Sequence, residues 1–287
     1  MNNNIKNNSD NIINVSDNNF PKIIHQIWLQ GYKNLSVDNK KKIEITKQIN
    51  SNWKYILWDE IKILELINED TNLINKYYKF IYLHQKVDFS KFVILYKYGG
   101  IYLDMDCEVV KNLDKLVEEN SQHDMIISKL SDKVNGMINY VTCRSFDTCL
   151  NNGVILTKKS TDICDYLIKN FLSECGLIEN KVICIQNTTG PVIFNKLIND
   201  YIKNINISKI LILPHYYLEP CIGDDCDINE NTYVIHKHEL SWLGNNEIQI
   251  MNYYLKNEIL INNILIIILI VIILIIYYYI FYKTKQK

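Results

Sequence analysis

Between Phe20 and Glu258 two hydrophobic periods alternate, and this narrows the fold more than any other feature of the chain. "KIIHQIWL" and "WKYILW" are short, apolar and rich in β-branched and aromatic residues, as buried strands are. Between them, Ser36 to Asn50 has the Lys and Glu of an exposed helix, and residues 59 to 98 keep a helical period up to Gly99-Gly100. "DMIISK", "NGVILTKK", "KILILP" and "TYVIHK" add strands. Helices are expected near 160 to 174 and over "TTGPVIFNKLINDYIK", where Thr189 can cap and Pro191 falls in the first turn. Strands alternating with helices predict an α/β fold with a mixed, mostly parallel sheet flanked by helices. In such sheets ligands bind beyond the carboxyl ends of the strands.

The chain has 287 residues, 48% of them hydrophobic, enough for one large domain, expected over 20–258. Its formal net charge of -1 excludes a general affinity for nucleic acid. Arg144 is the only arginine, so Lys stands where other chains use Arg. The eight cysteines form no C-x-x-C pair, and scattered reduced thiols are expected. Cys221 and Cys226 flank "IGDD" and are open to a bridge, a metal or an incidental pairing.

Residues 1–19 are polar and of low complexity, with none of the apolar core of a signal peptide, and are expected to be a disordered leader. The other end is unlike the rest. Residues 264–282, "ILIIILIVIILIIYYYIFY", carry no charge and precede a basic tail at 283–287. At a rise of about 1.5 Å per residue they reach roughly 28 Å, which predicts a single-pass C-terminal transmembrane helix in an endomembrane. Sidedness stays open, because late insertion leaves the domain in the cytosol whereas the positive tail prefers that side itself.

The stretch "YGGIYLDMD" places two carboxylates behind a Gly-Gly turn. Strand alternation puts Ile101, Leu103 and Met105 on one face and Tyr102, Asp104 and Asp106 on the other. Asp88 and Lys91, three apart, share a helix face just upstream.

The full string D-x-x-K-x-x-x-L-x-x-x-G-G-x-Y-x-D-x-D resembles the signature of Asp-x-Asp glycosyltransferases. The resemblance is to those related to yeast initiating α-mannosyltransferases, inositol-phosphoceramide mannosyltransferases and capsular polysaccharide sugar transferases. That family usually has Arg where Lys91 stands. Four further segments resemble it in order: "PKIIHQIWLQG", "NNGVILTKK", "TGP" at 189–191 and "HKHELSW" at 236–242.

The resemblance implies a GT-A-like, Rossmann-like fold and a retaining hexosyltransferase using a GDP- or UDP-hexose, with a glycan or lipid as acceptor. It implies Mn²⁺ or Mg²⁺ held by Asp106, Asp104 and His236, with His238 as an alternative to His236. Hard cations take carboxylate oxygens, and an imidazole favours Mn²⁺. Ile27 and Trp28 would enclose the nucleoside, with Tyr102 and Asn152 also at the donor. Asp88 and Lys91 would hold sugar hydroxyls and phosphate, and Ser241 and Trp242 would close over the diphosphate. A catalytically inactive sugar-binding or scaffold protein of the same fold is the alternative. A two-carboxylate phosphotransferase or nuclease leaves "TGP" and the His…Ser-Trp segment unexplained.

Overall fold

The computed structural model describes residues 19–130, 149–176, 180–204, 209–222, 225–239, 263–279 and 281. All of the expected 1–19 leader but its last residue lies outside the described residues, as do Ser241 and Trp242.

In chain order the first elements are β1 (Ile23–Ile27), α1 (Val37–Ile49), β2 (Lys54–Trp58), α2 (Glu60–Ile67), α3 (Thr71–Lys79), α4 (Leu83–Tyr98), β3 (Gly100–Leu103) and β4 (Cys107–Val109). Then come α5 (Asp114–Glu119), β5 (Met125–Ser128), β6 (Val154–Thr157), α6 (Asp162–Asn170), α7 (Lys181–Thr188) and α8 (Pro191–Asn204). β7 (Ile210–Leu213), β8 (Cys221–Ile222), β9 (Asp225–Cys226) and β10 (Val234–His236) follow.

The helical run expected over 59–98 is three helices, because side chains restart it. Asp59 accepts from the Lys62 amide at 3.0 Å, and Asp70 accepts from the Asn72 and Leu73 amides at 2.9 and 3.2 Å. Each acceptor satisfies a donor that a first helical turn leaves free. Pro191 opens α8 as expected, but Thr189 closes α7 and turns its hydroxyl towards Asp88.

The main sheet has the order β2-β1-β3-β6-β5-β7. β1 is parallel to β2 and β3, β5 is parallel to β7, and β6 runs antiparallel to both of its neighbours. This is the mixed, mostly parallel α/β sheet the sequence predicts. Both faces are buried, as a sheet covered by helices requires. Tyr102, Ile127 and Ile155 pack with Phe89, Phe92 and Phe194 on one side, while Ile101, Leu103, Val154 and Leu156 pack with Leu113, Leu116 and Val234 on the other. β10 lies outside this sheet, paired antiparallel with β4.

The Gly-Gly turn is sterically required. Gly100 has φ +101°, and a Cβ there would strike the Ile23 carbonyl of β1. Only glycine lets α4 end and β3 start so close to its neighbour.

Two expectations are corrected. Among the described residues no helix is long and apolar enough to cross a membrane. The transmembrane helix, the bilayer as partner and the single-pass endomembrane location do not stand. The thiols are not all reduced either: Cys175 is bonded to Cys184 and Cys221 to Cys226, while Cys107 and Cys164 are free and buried.

Candidate active site

Parallel pairing of β1 with β3 sets their carboxyl ends side by side, and the antiparallel β6 brings its start to the same edge. Asp104 follows β3 directly, and its amide donates to the Gly153 carbonyl at 2.8 Å. Its own carbonyl accepts from Gln26 Nε2 at 3.1 Å, and Gln26 Oε1 accepts from the Tyr55 hydroxyl at 2.6 Å. The tip of β3 is therefore tied on both sides.

Tyr102 and Asp104 share a face, as strand alternation requires, and the Tyr102 hydroxyl donates to Asp104 Oδ1 at 2.7 Å. Tyr102 is itself enclosed, so it supports Asp104 from within the core. Asp106 arrives differently. Met105 and Asp106 form a turn, with the Cys107 amide donating to the Asp104 carbonyl at 3.1 Å, and β4 begins behind them.

β10 completes the cluster. Its antiparallel register sets His236 opposite Cys107, one residue from Asp106. His236 Nε2 lies 3.1 Å from Asp106 Oδ1 and 3.9 Å from Asp104 Oδ2. The other ring nitrogen, Nδ1, faces Glu219, whose oxygens lie at 3.0 and 2.9 Å. His238, stacked on His236 at 4.0 Å between ring centroids, reaches Glu219 Oε2 at 3.2 Å. The chain then folds over Asp106, whose Oδ2 accepts the Glu239 amide at 2.8 Å.

Charge follows from this packing. Burial raises the Asp104 carboxyl, and the neighbouring Asp106 adds to the rise against the opposing pull of Lys91 and His236. Burial works the same way on Asp106, but His236 and the Glu239 amide outweigh it and hold that carboxyl below its ordinary range. For His236, burial opposes the charged form, yet Glu219 and Asp106 together lift the imidazole well above its usual value. Three carboxylates thus converge on one imidazole, and a cation is what relieves such a cluster.

The donor set fits a divalent ion. Carboxylate oxygens suit hard divalent cations such as Mg²⁺ and Mn²⁺, and a neutral imidazole nitrogen is a common further ligand. Asp106, Cys107 and His236 offer ligand atoms within 4.8 Å of one another. Gly153 makes room for the assembly, since a Cβ there would meet the His236 ring and stand 2.9 Å from Asp104 Oδ2.

A second group flanks the first. Lys91 is 1% exposed, with Nζ 2.7 Å from Asp88 and donating to the Asn152 carbonyl at 2.9 Å. Asp88 also accepts from Asn152 Nδ2 at 3.2 Å and from the Thr189 hydroxyl at 3.3 Å. The structure therefore joins Asp88, Lys91, Asn152 and Thr189 into one network, with Lys91 turned inward. Trp28 lies just past β1 at the same sheet edge, half-buried, with no hydrogen-bond partner for its indole nitrogen among the described residues. Ile27 is packed into the core.

Sequence reasoning did not single out Glu219, Gly153 or Gln26. Glu219 is a lone acidic residue in a loop with no periodic pattern around it. Gly153 sits inside the quoted "NNGVILTKK", so the double Asn followed by Gly was the available signal.

The family described as "Glycosyltransferase sugar-binding region containing DXD motif" matches residues 36–123, which include Asp88, Lys91, Asp104 and Asp106. An uncharacterised glycosyltransferase of Acanthamoeba polyphaga mimivirus is 31% identical over 247 residues, 84% of this chain and 90% of the relative. An inositol phosphoceramide mannosyltransferase of Schizosaccharomyces pombe is 29% identical over 103 residues, 34% of this chain and 32% of its own. Among solved structures, the PaToxG glycosyltransferase overlaps at a TM-score of 0.42 and 18% identity, covering 67% of this chain and 77% of its own. The paired carboxylates at a strand tip are those of a glycosyltransferase, and the chain belongs to the glycosyltransferase family with the DXD-containing sugar-binding region.

Proposed function

We propose that the protein is a metal-dependent, retaining hexosyltransferase that moves a sugar from a nucleotide-sugar donor to a glycan or lipid acceptor. The observation that carries this reading is the convergence of Asp106 and His236 at 3.1 Å, from elements 130 residues apart in sequence, beside Asp104. Asp106, Asp104 and His236 would hold a divalent cation, Mn²⁺ in preference to Mg²⁺. When bound, such an ion offsets the negative charge that develops on a departing diphosphate.

The protein's own share is placement and electrostatics. Asp104, held by Tyr102 and by its bonds to Gln26 and Gly153, presents a fixed carboxylate to the donor's ribose or sugar. Asp88 orients sugar hydroxyls, with Lys91, Asn152 and Thr189 setting its rotamer. Trp28, at the same sheet edge, stacks on the nucleoside.

A covalent route needs a carboxylate nucleophile free to attack the sugar. Asp88 is committed to Lys91, Asn152 and Thr189, and Asp106 to His236 and the Glu239 amide. Attack on the same face as departure, with the leaving phosphate accepting the proton of the incoming hydroxyl, agrees better with these commitments.

The inositol phosphoceramide mannosyltransferase among the relatives makes a GDP-mannose donor and a glycolipid acceptor the first pair to try. The test is a panel of nucleotide sugars incubated with the purified protein, with Mn²⁺ or with chelator, and the anomeric configuration of any product read by NMR. Release of a nucleoside diphosphate from one donor only with metal, and an α-linked product, is the expected result. Turnover undiminished by chelator, or a β-linked product from an α-linked donor, contradicts it.

A further inference from the structure

Glu219 is 1% exposed, and burying a carboxylate is unfavourable unless charged or hydrogen-bonding partners offset it. Among the described residues its side-chain partners are two histidines. Both of its oxygens address one atom, Nδ1 of His236. Its backbone is held in place to do so. The Glu219 amide donates to the His215 carbonyl at 2.7 Å, and the Cys221–Cys226 bridge closes the hairpin that follows. On the other side His238 adopts φ +50°, a left-handed conformation uncommon for a residue with a side chain. That conformation sets its Nε2 3.2 Å from Glu219 Oε2 but off the line of a hydrogen bond.

An imidazole that ligates a metal through one nitrogen must carry its proton on the other, and the group accepting that proton fixes both tautomer and ring orientation. Glu219 occupies that position, while Nε2 of His236 points to Asp106 and Asp104. We propose that Glu219 is a positioning residue: it holds the Nδ1–H tautomer of His236, keeps Nε2 available as a ligand, and thereby sets the site's preference for Mn²⁺ over Mg²⁺. The selectivity follows because the imidazole donor matters to Mn²⁺ and contributes little to Mg²⁺, which the carboxylates bind on their own. The inference rests on the reading of Asp104, Asp106 and His236 as cation ligands.

The test is a titration of the full chain with Mn²⁺, free ion read by electron paramagnetic resonance, in the presence of GDP or UDP, with Mg²⁺ measured by competition. Glu219→Gln is expected to raise the Kd for Mn²⁺ by about 10–100-fold while the Kd for Mg²⁺ changes less than about threefold. The double variant Glu219→Gln/His236→Ala binds Mn²⁺ no more weakly than His236→Ala alone, since Glu219 acts through that ring. Glu219→Asp keeps the charge but withdraws it by one methylene, and shifts the Mn²⁺ to Mg²⁺ ratio in the same direction; circular dichroism confirms that each variant is folded.

Unchanged Mn²⁺ affinity in folded Glu219→Gln and Glu219→Asp overturns the inference, as does equal loss of both ions or a further loss in the double variant. Failure of the underlying reading looks different: the unaltered protein takes up no Mn²⁺, or Asp106→Asn leaves its uptake unchanged.

Discussion

The amide of Asp104 donates to the carbonyl of Gly153 at 2.8 Å, joining the tip of β3 to the start of β6. Because β6 runs antiparallel to β3, its first residues meet the last residue of the strand that carries the acidic pair. The same glycine faces the His236 ring with no space for a side chain. One backbone contact thus sets the spacing between a carboxylate from the main sheet and an imidazole from the β4–β10 ribbon.

Gly153→Ala puts a methyl where the His236 ring now lies, so the ring must move away and should lose its approach to the acidic pair. Mn²⁺ affinity is expected to fall at least about tenfold, the scale on which perturbed metal ligands are felt. Titration with Mn²⁺ checks this, and affinity within about twofold of the unaltered protein would show that Gly153 does not set the spacing.

Lys91→Met tests the inward-facing network. It removes the charge beside Asp88 and the donor to the Asn152 carbonyl, both in a buried setting. Breaking a buried pair by removing one partner typically destabilises by about 3–5 kcal/mol, against a few tenths for an exposed helix pair. Chemical denaturation decides between the two. A loss below about 1 kcal/mol would mean that Lys91 is not a structural brace.

His25 gives the fold a pH dependence. Burial pushes its imidazole down to about 4, against the bond to the Gly99 carbonyl, which favours the charged form. The ring accepts from Trp58 Nε1 at 3.1 Å on one nitrogen and lies 2.9 Å from the Gly99 carbonyl on the other, an arrangement that suits the neutral form. Unfolded, the ring takes up a proton near pH 6.5. Its folded value is depressed, so its contribution is full above pH 6.5 and declines as pH falls towards 4, by roughly 3 kcal/mol in all. Urea unfolding at pH 7 and pH 4.5 should show this loss in the unaltered protein and a smaller one in His25→Gln. Equal losses in the two would contradict it.

Much of this architecture was legible in the sequence because periodicity reports burial. The α/β class and the strands at "KIIHQIWL", "WKYILW" and "NGVILTKK" follow from it, as does the shared face of Tyr102 and Asp104. Periodicity is blind to direction and partner, so it did not show that β6 is antiparallel or that β10 leaves the main sheet for β4. Strand alternation placed Asp106 beside Asp104, yet a turn at Met105 and Asp106 is what brings it there. Glu219 stayed hidden because its importance lies wholly in a contact with His236, which no local pattern encodes.

Anomalous diffraction at the manganese edge, from crystals grown with Mn²⁺ and GDP or UDP, tests the metal-dependent reading most directly. The expected result is one strong peak within bonding distance of Asp106 and His236, beside Asp104 and in contact with the diphosphate. Clear nucleotide density with no peak between those side chains, or with the ion held by other residues, would contradict it.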